Sequence, residues 1–366
     1  MQTDQTLDIA VARGIISVEQ ANSIRLIDSE QISNHSSAYQ ANDNDEEGFR
    51  FITGFSDIFL AIGVIVLLSG VLKTNLLSSV VGTLGIAALC WGLSEIVATW
   101  QRRSLPSMVS AAGFVFFATL GVFSYLQNIS PQILLDSPEI NLLGSASDIW
   151  MIPTVMLIVA LVYYARFRLP FSLFLSAISF AGLMFAGMFQ LIPGEYVSSV
   201  VIPVLLVTGF SIFCLAIYFD MQDTERKTRL SDNAFWLHLV ASPLIVHSIM
   251  WQSAIWLAGN DEFNIRSLDA IALPLSVVVL VIFVALMTIA LIINRRAMLV
   301  SSLIYVTLAL TYLGSETGGV TSVAAFVPII MGAGILSIGI GWQTLRKALF
   351  RILPLAPISL HLSPVK

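Results

Sequence analysis

The chain has 366 residues, of which 57% are hydrophobic and 11% charged, and its mean hydropathy is +0.86. That composition excludes a pair of soluble domains and belongs to a polytopic membrane protein. A formal net charge of -5 leaves no basic surface for nucleic acid, and the two cysteines, Cys90 and Cys214, lie inside apolar stretches where neither a disulfide nor a metal site is expected.

Residues 1–28 read as two short helices. Leu7, Ala10 and Val11 keep helical spacing on the first, and Gly14 suits its C-terminal stop. Ser17 with Gln20 three residues later is a capping-box signature for the second, whose apolar side is Ala21, Ile24 and Ile27. A pair this small buries no core alone, so it is expected to dock on another surface, such as a cytoplasmic partner. Residues 29–47 are polar and acidic without periodicity and read as a linker, with His35 solvated in it. The polar start has no signal-peptide pattern, so the first apolar helix is expected to act as its own insertion signal.

From Phe51 onward ten apolar segments follow, each near the ~20 residues a bilayer needs. They cover 51–72, 76–100, 105–126, 149–165, 169–192, 196–219, 235–258, 268–293, 297–314 and 320–342, the fourth and ninth being short. None of the 18 Lys and Arg lies inside a segment. Sixteen fall in the N-terminal stretch, alternate loops and the tail; only Lys73 and Arg266 fall in the other loops. The positive-inside rule then predicts an all-α bundle of ten spans with both termini cytoplasmic. The longest outer connection, 127–148, contains Ile133, Leu134 and Leu135 and is expected to lie along the interface. The tail, 344–366, alternates basic and apolar residues and reads as an interfacial helix ending at Pro354, with His361 solvated beyond it.

Arg103-Ser-Leu-Pro106 and Arg168-Leu-Pro170 each open a helix rich in small residues, a weak internal repeat that suggests stacked hairpins with tight turns. Small residues four apart (Gly182 and Ala186, Ala333 and Ser337, Ser337 and Gly341) fit close helix packing.

Asp57, Glu95, His238 and His247 are the candidate ionisable residues inside the segments. Asp57, Glu95 and His238 all come to roughly 5–9 Å below the basic boundary at ~1.5 Å per residue. Ionisable groups at such depth face a cavity or one another. They form either one proton-exchanging site or separate structural partners, Glu95 having Arg102 two turns along its own helix. His247 lies ~18 Å along its helix, near the bilayer centre, and Pro243 frees the carbonyl of Leu239 one turn away. A buried interhelical hydrogen bond and a proton or substrate role are the two readings for it, with Trp251 and Gln252 within reach. His238 and His247 are nine positions apart and face opposite sides, so they form no common metal site. No enzyme signature is present: H-E-x-x-H, Walker A and G-x-S-x-G are missing, and the glycines at 332, 334, 339 and 341 read as packing glycines. No enzyme activity and no cofactor are expected.

Three stretches carry a likeness to a known family: Ala12-Arg-Gly-Ile-Ile-Ser-Val-Glu-Gln-Ala21, Ser94-Glu-Ile-Val-Ala-Thr-Trp-Gln-Arg-Arg103 and Trp342-Gln-Thr-Leu-Arg-Lys-Ala-Leu-Phe-Arg-Ile-Leu-Pro354. The chain resembles a bacterial family of multi-pass membrane proteins of unknown function whose members begin with a short cytoplasmic helical pair. The resemblance implies a bacterial inner membrane and transfers no site residues. Two functions fit: a proton-coupled transporter or permease for a small solute, using Asp57, Glu95, His238 and His247, or a non-transporting scaffold or sensor. The lipid bilayer is an expected partner in either case.

Overall fold

The computed structural model describes residues 12–13, 17–22, 55–101, 103–129, 149–226, 228–259, 268–318 and 320–352. The chain divides into two units, Met1–Phe49 and Arg50–Lys366. In the first, the expected capping box is formed: the Ser17 amide donates to Gln20 Oε1 (2.9 Å), and the Gln20 amide donates to Ser17 Oγ (3.1 Å). The acidic linker, most of residues 1–28, the connection over 130–148, His35 and His361 lie outside the described residues.

The second unit is all-helical among the described residues. Its ten principal helices are α1 (Phe55–Leu72), α2 (Val80–Ser94, prolonged by a π-helical turn over Glu95–Trp100), α3 (Ser104–Ile129), α4 (Met151–Phe167), α5 (Pro170–Leu191), α6 (Gly194–Gln222), α7 (Arg229–Leu257), α8 (Leu268–Ile293), α9 (Ala297–Gly318) and α10 (Val320–Ile352). Among the described residues eight are long and apolar enough to cross a membrane, and α4, with 17 residues, is shorter. Helix α4 coincides with the fourth segment, which is short in the sequence as well.

Local chemistry explains the helix starts. Ser79 accepts from the Gly82 amide at the head of α2, and Thr228 accepts from the Leu230 amide at the head of α7. Pro170 occupies the first turn of α5, where its missing N–H costs nothing. The basic turns are closed by left-handed residues: Arg168 (φ 51°) after α4, Arg226 (φ 56°) before α7 and Asn294 (φ 57°) after α8.

Sequential hairpins α2–α3, α4–α5, α6–α7 and α8–α9 form the bundle. Helix α7 is its hub, packing on α5, α6, α8 and α9, whereas α1 packs on α3. One core joins α7 to α8, α9 and α10 through Val246, Leu286, Met298 and Trp342; another joins it to α5 and α6 through Leu173, Ile212 and Leu237. With lipid outside, such contacts stabilise by dispersion and close approach, not by expulsion of water. Gly209 of α6 lies so near α7 that a Cβ there would stand 2.9 Å from Ile245 Cγ1 and 3.2 Å from its amide nitrogen. Gly182 faces Pro153 of α4 more loosely, at 3.4 Å.

Two expectations are corrected here. The glycines of α10 are not packing glycines: a Cβ on Gly332, Gly334, Gly339 or Gly341 would meet nothing within 4 Å, and Ala333 and Ser337 are exposed. The tail does not begin as a separate interfacial helix either. Helix α10 runs unbroken to Ile352, because Trp342 donates to Asn294 Oδ1 (2.6 Å) and the buried Arg346 donates through Nε to the Leu291 carbonyl (3.0 Å).

Candidate functional site: a buried His–Asp–Arg cluster

The basic ends of α6, α7, α8 and α9 meet around one carboxylate, Asp220, in the last turn of α6. The turn that follows α6 is held by Asp223, which accepts from both the amide (2.8 Å) and the hydroxyl (2.7 Å) of Thr228. Arg226 reaches across from that turn to the Ile293 carbonyl at the end of α8 (2.9 Å). Asn294 then takes the left-handed conformation that asparagine tolerates, and Arg295, its amide bonded to the Ala290 carbonyl (2.8 Å), turns inward.

The Arg295 side chain is 2% exposed. Its Nε donates to Asp220 Oδ1 (3.0 Å), its Nη2 donates to the same oxygen, and Nη2 also reaches the carbonyl (3.0 Å) and hydroxyl (3.1 Å) of Ser231 on α7. On the other side, His238 Nε2 lies 2.8 Å from Asp220 Oδ2, and the imidazole is 0% exposed. An ionised carboxylate only accepts, so Nε2 is assigned as the protonated nitrogen and Nδ1 is the bare one when the ring is neutral. Nδ1 has no hydrogen-bond partner among the described residues. The Phe213 ring stands edge-on to the imidazole, with centroids 5.3 Å apart.

The charges of Asp220 and Arg295 cancel. Protonation of His238 would give the cluster a net positive charge on a ring that is itself fully buried. An unpaired buried charge is costly, so the protonation state of this imidazole must be coupled to the packing around it. Imidazole is also the side chain whose charge ordinarily changes between pH 5 and 8.

The other predicted residues go elsewhere. Asp57, fully buried on α1, accepts from Arg103 Nη1 at the head of α3 (2.8 Å). Glu95 accepts from Arg166 Nη2 of α4 (2.8 Å), with both side chains substantially exposed. The expected partner Arg102 lies outside the described residues. A common depth therefore does not become a common site: Asp57, Glu95 and His238 are held by three different partners on three different parts of the bundle.

His247 is corrected more sharply. It is exposed on the outside of the bundle, Nδ1 lying 2.5 Å from the Tyr305 hydroxyl of α9 and its ring 6.1 Å from that of Trp251. The interhelical hydrogen bond is there, but not in a buried centre. The half-turn between the two histidines places His238 in the core and His247 outside.

None of the comparisons, with models of protein families, with curated proteins and with solved structures, finds a match.

Asp220 and Arg295 escaped the sequence reading for different reasons. Asp220 falls one residue beyond the sixth segment, and Arg295 served only to mark a basic loop. A signal was nevertheless present: Asp220 and His238 lie on consecutive helices about a short turn, eighteen residues apart. A second feature of the basic end is a cavity of about 90 Å³ between Arg103, Ser104, Phe167, Pro170, Arg229 and Asp232, room for a few waters. Among the described residues, no group of three His, Cys, Asp or Glu is placed to hold a metal.

Proposed function

We propose that the chain is a bacterial inner-membrane protein of ten crossings with both termini cytoplasmic, which moves a small solute coupled to proton exchange at His238, Asp220 and Arg295. The observation that carries this reading is a fully buried imidazole bonded to a charge-neutral Asp–Arg pair and keeping one nitrogen unpartnered. Ionisable groups inside spans are rare because they are costly, and they commonly mark proton and solute pathways. The cluster also joins the α6–α7 hairpin to the α8–α9 turn, so a change in its charge acts on how the two hairpins pack. Membership in the bacterial family suggested by the three short stretches is part of the same proposal.

The test is flux in proteoliposomes containing a pH-sensitive dye, with panels of amino acids, sugars and carboxylates as candidate solutes. Solute-dependent proton movement should appear for one class, be abolished by His238→Gln, and survive Glu95→Gln and His247→Ala. A flux that His238→Gln leaves unchanged would remove the site.

The second reading is a non-transporting scaffold or sensor that docks a cytoplasmic partner through residues 1–28. The observation favouring it is that Asp57 and Glu95 are each satisfied by an arginine of a neighbouring helix, as fasteners would be. Absence of flux across the whole panel would favour this reading.

A further inference from the structure

We infer that the groove between α4 and α6, across the face of α5, holds one acyl chain of an anionic phospholipid whose headgroup rests on Arg168 and Arg229. The groove has a volume of about 380 Å³, within the range of small-molecule sites. Its floor is Leu173, Ala177, Ile212 and Leu237, all buried, and Leu161 and Leu215 form its exposed rims. The serines along it bond to their own helices, Ser176 to the Ser172 carbonyl and Ser211 to the Val207 carbonyl, which leaves the surface apolar. Helices α5 and α7 touch each other and their own hairpin partners, leaving the trough between α4 and α6 open at its side.

The occupant follows from how the chemistry changes along two helices. On α4, Leu157, Leu161 and Tyr164 stand at spacings of four and three, which is one stripe of a helix, and Arg168 follows in the left-handed turn that closes it. On α7, Leu237, Asn233 and Arg229 descend in steps of four. The two stripes are tied rung by rung at the basic end. Asn233 Nδ2 donates to the Tyr164 hydroxyl (2.9 Å), and Arg229 Nη1 approaches the Arg168 carbonyl (3.5 Å). The Arg168 guanidinium sits 5.9 Å from the Tyr164 ring centre, and both arginines are exposed. From the bundle's interior toward its basic end the ladder runs from leucine pair to hydroxyl–amide pair to arginine pair. A phospholipid has the same order: acyl chain, ester region, phosphate. The apolar part extends from roughly 5 to 17 Å below the basic helix ends, the depth of one leaflet's hydrocarbon. Basic pockets of this kind, between spans at the cytoplasmic face, suit anionic headgroups. The inference needs the bundle to lie in a membrane and does not depend on the protein transporting anything.

The test is native mass spectrometry of the full chain, released from nanodiscs of equal phosphatidylglycerol and phosphatidylcholine with the same acyl chains. Wild type should retain phosphatidylglycerol over phosphatidylcholine by about tenfold, given two arginines near the surface. The double variant Arg168→Ala/Arg229→Ala should lose that preference, and Arg168→Lys/Arg229→Lys should largely keep it. Ala177→Phe, which fills the floor, should reduce retention of both lipids; Ser211→Phe does the same from the exposed rim if the floor variant folds poorly. Equal retention of the two lipids by wild type, or a preference that survives the loss of both arginines, would overturn the assignment. So would retention unchanged by a filled groove.

Discussion

Replacing Arg295 with methionine isolates what the buried cluster contributes to stability. The substitution keeps an unbranched side chain of useful bulk but leaves Asp220 charged, with its side chain 15% exposed and its strongest partner gone. It also strips the Ser231 carbonyl and hydroxyl of their donor. Removing one member of a buried ion pair costs about 3–5 kcal/mol, because the surviving charge is left without compensation. Hydrogen bonds inside membrane bundles measure lower, averaging about 0.6 kcal/mol, so the lower end, about 3 kcal/mol, is the expectation here. Replacing both partners, Asp220→Leu with Arg295→Met, should recover much of that loss, with a coupling energy of about 2–3 kcal/mol. The control is Glu95→Gln, which breaks a pair whose side chains are 31% and 51% exposed and should cost at most about 1 kcal/mol. Equilibrium unfolding in mixed micelles, followed by tryptophan fluorescence, puts Arg295→Met, Asp220→Leu alone, the double variant and Glu95→Gln on one scale. If Arg295→Met costs no more than Glu95→Gln, the cluster is no structural centre and the argument for coupling protonation to packing fails.

Other outcomes are equally definite. Gly209→Val should weaken the α6–α7 contact by about 1–3 kcal/mol, since its added carbons collide with Ile245 and Leu244; the same unfolding assay reads it. His247→Phe and Tyr305→Phe should each cost about 1 kcal/mol or less, because the bond they share is a single one on the outside of the bundle. Asp57→Ala leaves the half-exposed Arg103 free to find water and should be milder than Arg295→Met. Reporter fusions at Asn141 and Asn260 should both read as outside the cytoplasm, and a cytoplasmic signal at either would break the proposed ten-span topology.

Much of the architecture was legible in the residues. Long apolar runs of the length a bilayer demands became helices, and the short one at α4 was already marked by the length of its apolar run. Basic residues collect at chain reversals because a charge is least costly there, and Pro106 and Pro170 stand in first turns because that is where a missing N–H is harmless. The Ser17–Gln20 capping box was readable since both of its partners lie within four residues.

Depth along a helix is likewise a one-dimensional property, and the sequence alone determined it for Asp57, Glu95 and His238. Which helices lie side by side is decided by packing between segments far apart in the chain, and only the tertiary structure sets it. It separated those three residues, brought Arg295 from a basic loop onto Asp220 across 75 positions, and reversed the two histidines, burying His238 and leaving His247 outside. The half-turn between the histidines followed from helical geometry; which of the two faces inward depended on where α5, α6, α8 and α9 settled around α7. Hydropathy cannot make that choice, because in a membrane the outer surface of a bundle is as apolar as its core.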